Sequence, residues 1–331
     1  MDFRHTAEEL KQMQGLPLEA KIIKTKQRIR EWYDHYDGNV YISFSGGKDS
    51  TVLLDLVRQE YPNVPAVYVD TGLEFPEVKA FIRTFDNVTI LRPKKSFRQV
   101  VEECGYPIPS KEIAGKIEYY LKSKNRGHGG EWCQKYIERR AYQPDGKLSR
   151  YCLSVRWQRL LTAPFKVSAH CCDIMKKEPA HRYAKETHSY PYIGMLAEES
   201  LIRKQAWQRN GCNAFEGKNP SSNPMSFWTE QDVLRYIKER NLPIASVYGE
   251  IVEDAETGKL RTTGAERTGC VFCMFGVHLD RSPNRFERLK KTHPQLWEYC
   301  MKPWDQGGLG LKAVCDYCDI PTGHDAEPKN D

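Results

Sequence analysis

The segment Val40-Tyr41-Ile42-Ser43-Phe44-Ser45-Gly46-Gly47-Lys48-Asp49-Ser50-Thr51-Val52-Leu53-Leu54 constrains this chain more than any other. A β-prone apolar run ends in a glycine pair and passes directly into a helical pattern. Strand, tight turn and helix N-terminus, in that order, form a cradle for an anion such as phosphate. The glycines allow positive φ and a close approach of backbone to a ligand. The first N–H groups of the helix lack internal partners, and the helix dipole adds roughly half a positive charge at that end. Ser45, Ser50 and Thr51 supply hydroxyls, and Lys48 a full charge. The spacing fits neither G-x-x-x-x-G-K-[ST] nor G-x-G-x-x-G. The plainer alternative is a glycine-rich turn that binds nothing.

The loop belongs to a series of strand–helix units. Strands are expected at Val40–Phe44, Ala66–Val69, Asn87–Leu91 and Tyr192–Met195. Helices are expected over 50–59, from Pro76 to Phe85, from Glu198 and over 224–240, the last with Thr229 and Asp232 in a capping arrangement. Short apolar strands alternating with helices predict an α/β fold with a doubly wound, mostly parallel sheet. Ligands of such sheets bind beyond the carboxyl ends of the strands, where both the loop and Asp70 fall. Ahead of the first strand, 18–36 reads as a helix with Leu18, Ile22, Ile23, Ile29, Trp32 and Tyr33 toward the core. Lys21, Lys24, Lys26, Arg28 and Arg30 form its solvated face. Three segments are expected: 1–37 helical, 38–215 the nucleotide-binding α/β domain, and 216–331 a C-terminal helical region with a frayed tail over its last ten residues.

With 331 residues, 40% hydrophobic and 28% charged, the chain has ample length for a core. No run approaches the ~20 apolar residues that span a bilayer, so no membrane partner is expected. The first ten residues lack the apolar stretch of a secretory signal, which makes the cytoplasm the default.

Residues 116–159 carry eleven Lys and Arg against four acids, a local excess of +7 in a chain whose net charge is +6. Trp132, Tyr136, Tyr142, Tyr151 and Trp157 are interleaved with them. Cations and rings together suit a phosphate-rich polymer. They suit equally an insertion whose charges are solvated and whose rings pack inward.

Eleven cysteines are many for a chain in a reducing compartment, where they serve as metal ligands or catalytic thiols more often than as disulfides. Cys171 and Cys172 are adjacent, and Cys270-Val271-Phe272-Cys273 follows 98 residues after Cys172. Four thiolates in two such pairs can complete a tetrahedral zinc site or hold a [4Fe–4S] cluster. Cys315 and Cys318 read as a redox or sulfur-relay pair, as further ligands, or as plain thiols.

Several of these stretches together resemble one family. Ser45-Gly46-Gly47-Lys48-Asp49-Ser50 is similar to the pyrophosphate loop of the adenine nucleotide α-hydrolases. Val69-Asp70-Thr71-Gly72-Leu73-Glu74-Phe75-Pro76 resembles a second-strand motif of the phosphoadenylylsulfate (PAPS) reductase-like superfamily. Cys171–Pro179 resembles its Cys-Cys…Lys-x-Glu-Pro segment, and Cys270 to Cys273 its Cys-x-x-Cys. Gly194–Arg203 resembles its G-x-R-x-x-x-S-x-x-R element, with Leu196 where an arginine is usual. Pro224–Asp232 resembles its Trp-x-x-x-Asp-Val helix. The likeness runs from about residue 30 to 300.

The resemblance implies an adenine nucleotide α-hydrolase-like fold with a basic insertion and a cysteine-bearing C-terminal region. It implies ATP with Mg²⁺ on Ser45, Gly46, Gly47, Lys48, Asp49, Ser50, Asp70 and Gly194. Lys48, Asp49 and Arg203 are the catalytic candidates. Asp49 and Asp70 would meet Mg²⁺ or ribose, unless they merely cap a helix and end a strand. A [4Fe–4S] cluster would be held by Cys171, Cys172, Cys270 and Cys273. The Glu-Cys-Gly-Leu/Ile-His motif whose cysteine attacks the sulfonucleotide in assimilatory reductases does not occur. Unless Cys315 or Cys318 substitutes for that thiol, the chain, with its N-terminal helix and basic 116–159 segment, is more similar to the ATP-pyrophosphatase component of DNA phosphorothioation systems. That branch implies ATP cleavage to AMP and pyrophosphate, a DNA phosphate as acceptor and a cysteine desulfurase as sulfur donor. The alternatives are a sulfonucleotide reductase releasing sulfite, a tRNA-thiolating enzyme, and a non-catalytic cluster protein that binds nucleotide and nucleic acid.

Overall fold

The computed structural model describes residues 3–127 and 130–323. The expectation of a frayed tail falls from 324 onward outside the described residues. The chain divides into two compact units, Met1–Lys94 with Lys176–Gly269 and Lys95–Met175 with Cys270–Asp331. This division does not follow sequential boundaries at 37/38 and 215/216. The N-terminal helix Leu18–His35 shares one buried cluster with the sheet through Leu18, Ile22, Ile29 and Trp32.

The first unit is built on a six-stranded sheet. Its strands are β1 (Val40–Ser43), β2 (Ala66–Val69), β3 (Val88–Leu91), β4 (Tyr190–Ile193), β5 (Asn213–Ala214) and β6 (Ser221–Ser222), ordered β3-β2-β1-β4-β6-β5. Every pairing is parallel except β5 with β6, so the fold is α/β with a mostly parallel sheet. From β1 the chain builds outward through β2 and β3, and β4 lies on β1's other side. The crevice beyond β1 and β4 is thus the topological switch point, where such sheets bind ligands. Helix Lys48–Glu60 follows β1 and buries Val52, Leu53, Leu54, Leu56 and Val57. A small antiparallel hairpin, β7 (Ile251–Glu253) and β8 (Leu260–Thr262), completes this unit.

Three of the boundaries that differ from the sequence expectation have a local cause. β4 begins at Tyr190, ahead of Pro191 rather than after it. The missing N–H of Pro191 is tolerated because β6 pairs with β4 only at Tyr192. The helix expected over 224–240 spans Glu230–Glu239, because Thr229 forms its capping box with Asp232 and the residues before it make tight turns. The helix expected from Glu198 is a single 3₁₀ turn, Ala197–Glu199, followed by helix Leu201–Asn210 capped by Ser200.

Lys21 is a further correction. Expected in solvent, it is buried, and its Nζ donates to Asp232 Oδ2 at 2.6 Å and to the Gln14 carbonyl at 2.7 Å. Asp232 also accepts from Thr229 in the capping box, so one buried carboxylate anchors both helices.

The second unit is mainly helical. It contains helices Phe97–Cys104, Lys111–Arg126, Glu131–Ile137, Val155–Gln158, Arg285–Thr292, Pro294–Met301 and Leu311–Tyr317. Among the described residues no helix is long and apolar enough to cross a membrane.

Candidate nucleotide site

The loop between β1 and helix Lys48–Glu60 has the geometry its sequence demands. Gly46 is left-handed at φ +70°, and a Cβ there would lie 2.8 Å from Val78 Cγ1 and from Ile82 Cγ1, both on buried side chains of helix Pro76–Ile82. Gly47 is extended and caps the helix without a side chain. Ser50 and Thr51 fold back through their hydroxyls onto the Gly47 carbonyl, at 2.9 and 3.0 Å. Ser45 Oγ lies 3.0 Å from Ser50 Oγ and accepts from the Gly47 N–H. The turn is thus held by its own hydroxyls, leaving the helix start directed at the crevice. Gly194, just past β4, presses on the same loop, since a Cβ on it would lie 3.0 Å from the Asp49 carbonyl oxygen and 3.1 Å from Ser50 Cα.

The loop's charges are held by residues distant in sequence. Lys48 is buried, and its Nζ pairs with Glu230 Oε1 at 3.1 Å and lies 5.3 Å from the Tyr248 ring. The Lys48 N–H donates to the Tyr248 hydroxyl, which is 2.6 Å from Thr268 Oγ1. Burial pushes the Tyr248 phenol up, so it stays neutral. Burial raises the Asp49 carboxyl as well; Lys48 opposes this, Glu230 adds to it and Arg267 opposes it. Arg203 is lowered first by burial and then by Arg267, with Asp49 acting the other way. Arg203 pairs with Glu199, and Arg267 Nη1 lies 3.5 Å from the other oxygen of that carboxylate.

Of the residues expected from sequence, Ser45, Gly46, Gly47, Lys48, Asp49, Ser50 and Gly194 lie together at the switch point, with Arg203 within electrostatic reach of Asp49. Asp70 stands at the end of β2, where it pairs with Lys79 at 2.9 Å and accepts from the Gly72 N–H at 3.1 Å. Burial works to raise its carboxyl, but those two donors outweigh it and hold it below the usual range. Glu230, Tyr248, Arg267, Thr268 and Glu199 are additions that sequence reasoning missed. Glu199 and Glu230 lie inside the quoted stretches 194–203 and 224–232, and Arg267 and Thr268 just before Cys270, which is their one signal; Tyr248 has none. A cavity of about 570 Å³, lined in part by Leu10, Gln14, Glu198, Ser200 and Lys204, contains no residue of the loop.

The four cysteines expected to hold a metal all belong to the second unit. Cys171 and Cys172 head the helical stretch leading into Asp173–Lys177, and Cys273 donates its N–H to the Cys270 carbonyl in a tight turn. Arg285 Nη1 braces that turn through the Cys273 and Phe275 carbonyls. As a donor set, four thiols in two short pairs suit a soft metal. Among the described residues, however, no three His, Cys, Asp or Glu side chains form a group that could hold a metal ion.

Cys315 and Cys318 are fully buried. Burial, then the neighbouring Cys318 and Cys300, pushes the Cys315 thiol far up. Burial pushes Cys318 up to about 11, against Arg159 and Arg156.

A mostly parallel sheet with a glycine-built turn at its switch point, flanked by Lys48, Arg203 and Arg267, has the form of an anion cradle. The phosphoadenosine phosphosulfate reductase domain matches residues 39–108 and 137–274, well over half of the chain, and the chain belongs to that family. A phosphoadenosine 5′-phosphosulfate reductase of Alkalilimnicola ehrlichii is 34% identical over 68% of this chain and 71% of its own length. Two uncharacterized proteins of Methanocaldococcus jannaschii are 24% and 23% identical over 82% and 85% of this chain, which spans 42% and 51% of their lengths. The crystal structure of a phosphoadenylyl-sulfate reductase from Candida auris in complex with phosphate matches with a TM-score of 0.39 and 15% identity, over 74% of this chain and 92% of that one.

Proposed function

We propose that the chain is a cytoplasmic enzyme that binds ATP with its phosphates on residues 45–50. It cleaves ATP between the α and β phosphates and adenylates an acceptor for sulfur insertion. The observation that carries this reading is the loop itself: Gly46 flush against Val78 and Ile82, a helix start whose N-cap Gly47 has no side chain, and a buried lysine beside it. An acceptor oxygen attacks the α-phosphorus, the bond to the bridging oxygen breaks, and pyrophosphate leaves with the electron pair. Lys48 and Arg203 offset the charge building on pyrophosphate in this reading, the main protein contribution in such transfers. Asp49, at the head of the helix, is suited to hold Mg²⁺. A sulfur donor then displaces AMP; a persulfide delivered by a cysteine desulfurase is the expected source, and a second thiol cleaves the resulting S–S bond, leaving sulfur on the acceptor and a disulfide on the donor side. The acceptor is a nucleic acid, a DNA backbone phosphate ahead of a tRNA base.

Sulfonucleotide reduction, the activity in the names of several relatives, needs an accessible thiolate. Cys315 and Cys318 are poor candidates because they are buried and remain protonated near neutrality. Cys171, Cys172, Cys270 and Cys273 are proposed to hold a [4Fe–4S] cluster, which would supply soft-metal or redox chemistry when bound. Iron and sulfide analysis of anaerobically purified protein tests this apart from activity.

The deciding experiment incubates the protein anaerobically with α-labelled ATP, with and without DNA, and follows AMP and pyrophosphate. Pyrophosphate release that is lost in a folded Lys48→Ala variant is expected. Sulfite release from adenylylsulfate or its 3′-phosphorylated form with thioredoxin, without ATP cleavage, would overturn the proposal in favour of a reductase.

A further inference from the structure

The second unit carries a basic, aromatic face that the nucleotide chemistry does not use. Helix Lys111–Arg126 ends at a left-handed Gly127, and Lys124 and Arg126 project from its last turn. Both are exposed, and among the described residues neither pairs with a carboxylate. Lys135, exposed on the next helix, lies 5.4 Å from the Tyr136 ring. Arg150 lies 4.9 Å from the Tyr151 ring and donates to its hydroxyl at 2.8 Å. Among the described residues none of these four cations pairs with a carboxylate.

The rings are exposed beside them. Tyr119, Trp132, Tyr142 and Tyr151 are each between 43% and 65% accessible, where large aromatics ordinarily find cover. The Tyr119 and Trp132 rings are 5.3 Å apart. Lys116, one turn before Tyr119 on the same helix, donates to the Tyr151 carbonyl at 2.9 Å and lies 5.4 and 5.3 Å from the Tyr136 and Tyr151 rings. Lys116 thus joins Tyr136 to Tyr151, and Tyr119, one turn on from it, stands beside Trp132. Val155 is the sole large aliphatic residue exposed among the described residues of 111–159. A lipid or an apolar protein partner would require far more aliphatic area.

We propose that this face binds single-stranded nucleic acid. Its rings stack on unpaired bases, and Lys124, Arg126, Lys135 and Arg150 meet the phosphates. A duplex would offer only its phosphates and leave the rings idle. The proposal deepens the acceptor reading above by naming the form of the acceptor, and it is tested without ATP, so the two fail separately.

The test is fluorescence anisotropy of labelled oligo(dT), oligo(rU) and a duplex of equal length with the full chain, across a salt series. Four released counterions predict that single-strand affinity falls about 50-fold between 50 and 200 mM salt. Trp132→Ala and Tyr151→Ala should each weaken binding roughly 5- to 100-fold. Trp132→Phe, which keeps a ring, should retain most of it, and circular dichroism verifies that each variant is folded. Tighter binding of oligo(dT) assigns a DNA strand and tighter binding of oligo(rU) an RNA strand. Duplex binding as tight as either strand, or ring removal without effect in folded variants, would overturn the proposal.

Discussion

Gly46 and Gly47 are adjacent in sequence, yet alanine at each should do opposite things. At Gly46 the backbone is left-handed, φ +70°, which costs an L-residue about 1–2 kcal/mol. The new Cβ would also lie 2.8 Å from Val78 Cγ1 and Ile82 Cγ1 and 2.9 Å from Ile82 Cδ1, well inside the contact distance of about 3.5–4.0 Å. Val78 and Ile82 are buried in the main cluster and have little room to retreat. Overpacking of that kind costs about 1–3 kcal/mol, so Gly46→Ala should destabilise the first unit by about 2–5 kcal/mol. At about 2–4 °C per kcal/mol for a unit of this size, its melting temperature should fall by roughly 5–20 °C. Gly47 has φ −79°, and its Cβ would meet Ser45 Oγ at 3.3 Å and the Tyr248 hydroxyl at 3.4 Å. Those are side-chain ends able to give, so Gly47→Ala should stay within about 1 kcal/mol of the parent. Its methyl would nevertheless stand in the cradle and weaken ATP binding at least tenfold. Calorimetry and ATP titration of the two variants read both quantities. If Gly46→Ala melts with the parent, the packing account of the loop is wrong; if Gly47→Ala binds ATP normally, phosphate does not occupy the cradle.

Asp49→Asn separates stability from activity: the raised acid binds more protons folded than unfolded, so stability falls as pH rises from the unfolded to the folded value and stays reduced at neutrality. The asparagine variant should therefore melt higher than the parent at neutral pH, lose that advantage in acid, and release no pyrophosphate; a lower melting point at neutral pH would refute the assignment. Lys21→Met strands the Asp232 carboxylate and should cost about 3–5 kcal/mol in denaturant unfolding, with most of it recovered in Lys21→Met/Asp232→Asn. Arg267→Ala removes an exposed ion pair worth under about 1 kcal/mol of stability. It should nonetheless raise the KM for ATP roughly tenfold, the order expected for one charge-assisted hydrogen bond to phosphate; an unchanged KM would leave Arg267 outside the site.

What can be read from the sequence is local. The strand, glycine pair and helix of the loop lie within fifteen residues, and each step is dictated by propensity and backbone sterics. Thr229 with Asp232 is legible for the same reason. Lys21 shows where a reading by polarity goes astray. Its position, three residues after Leu18 and four before Thr25, is on the buried stripe of helix Leu18–His35, and only its charge suggests solvent. The partner that makes burial tolerable, Asp232, is 211 residues away. The loop's electrostatics are hidden in the same manner. Leu196 occupies the place of a usual arginine and is buried in the main cluster, which read linearly is a lost cation. Yet Arg267 brings a cation to the same group of charges, paired to Glu199 beside Arg203 and felt by Asp49. Coulomb's law responds to where a charge stands and not to which strand or loop delivers it.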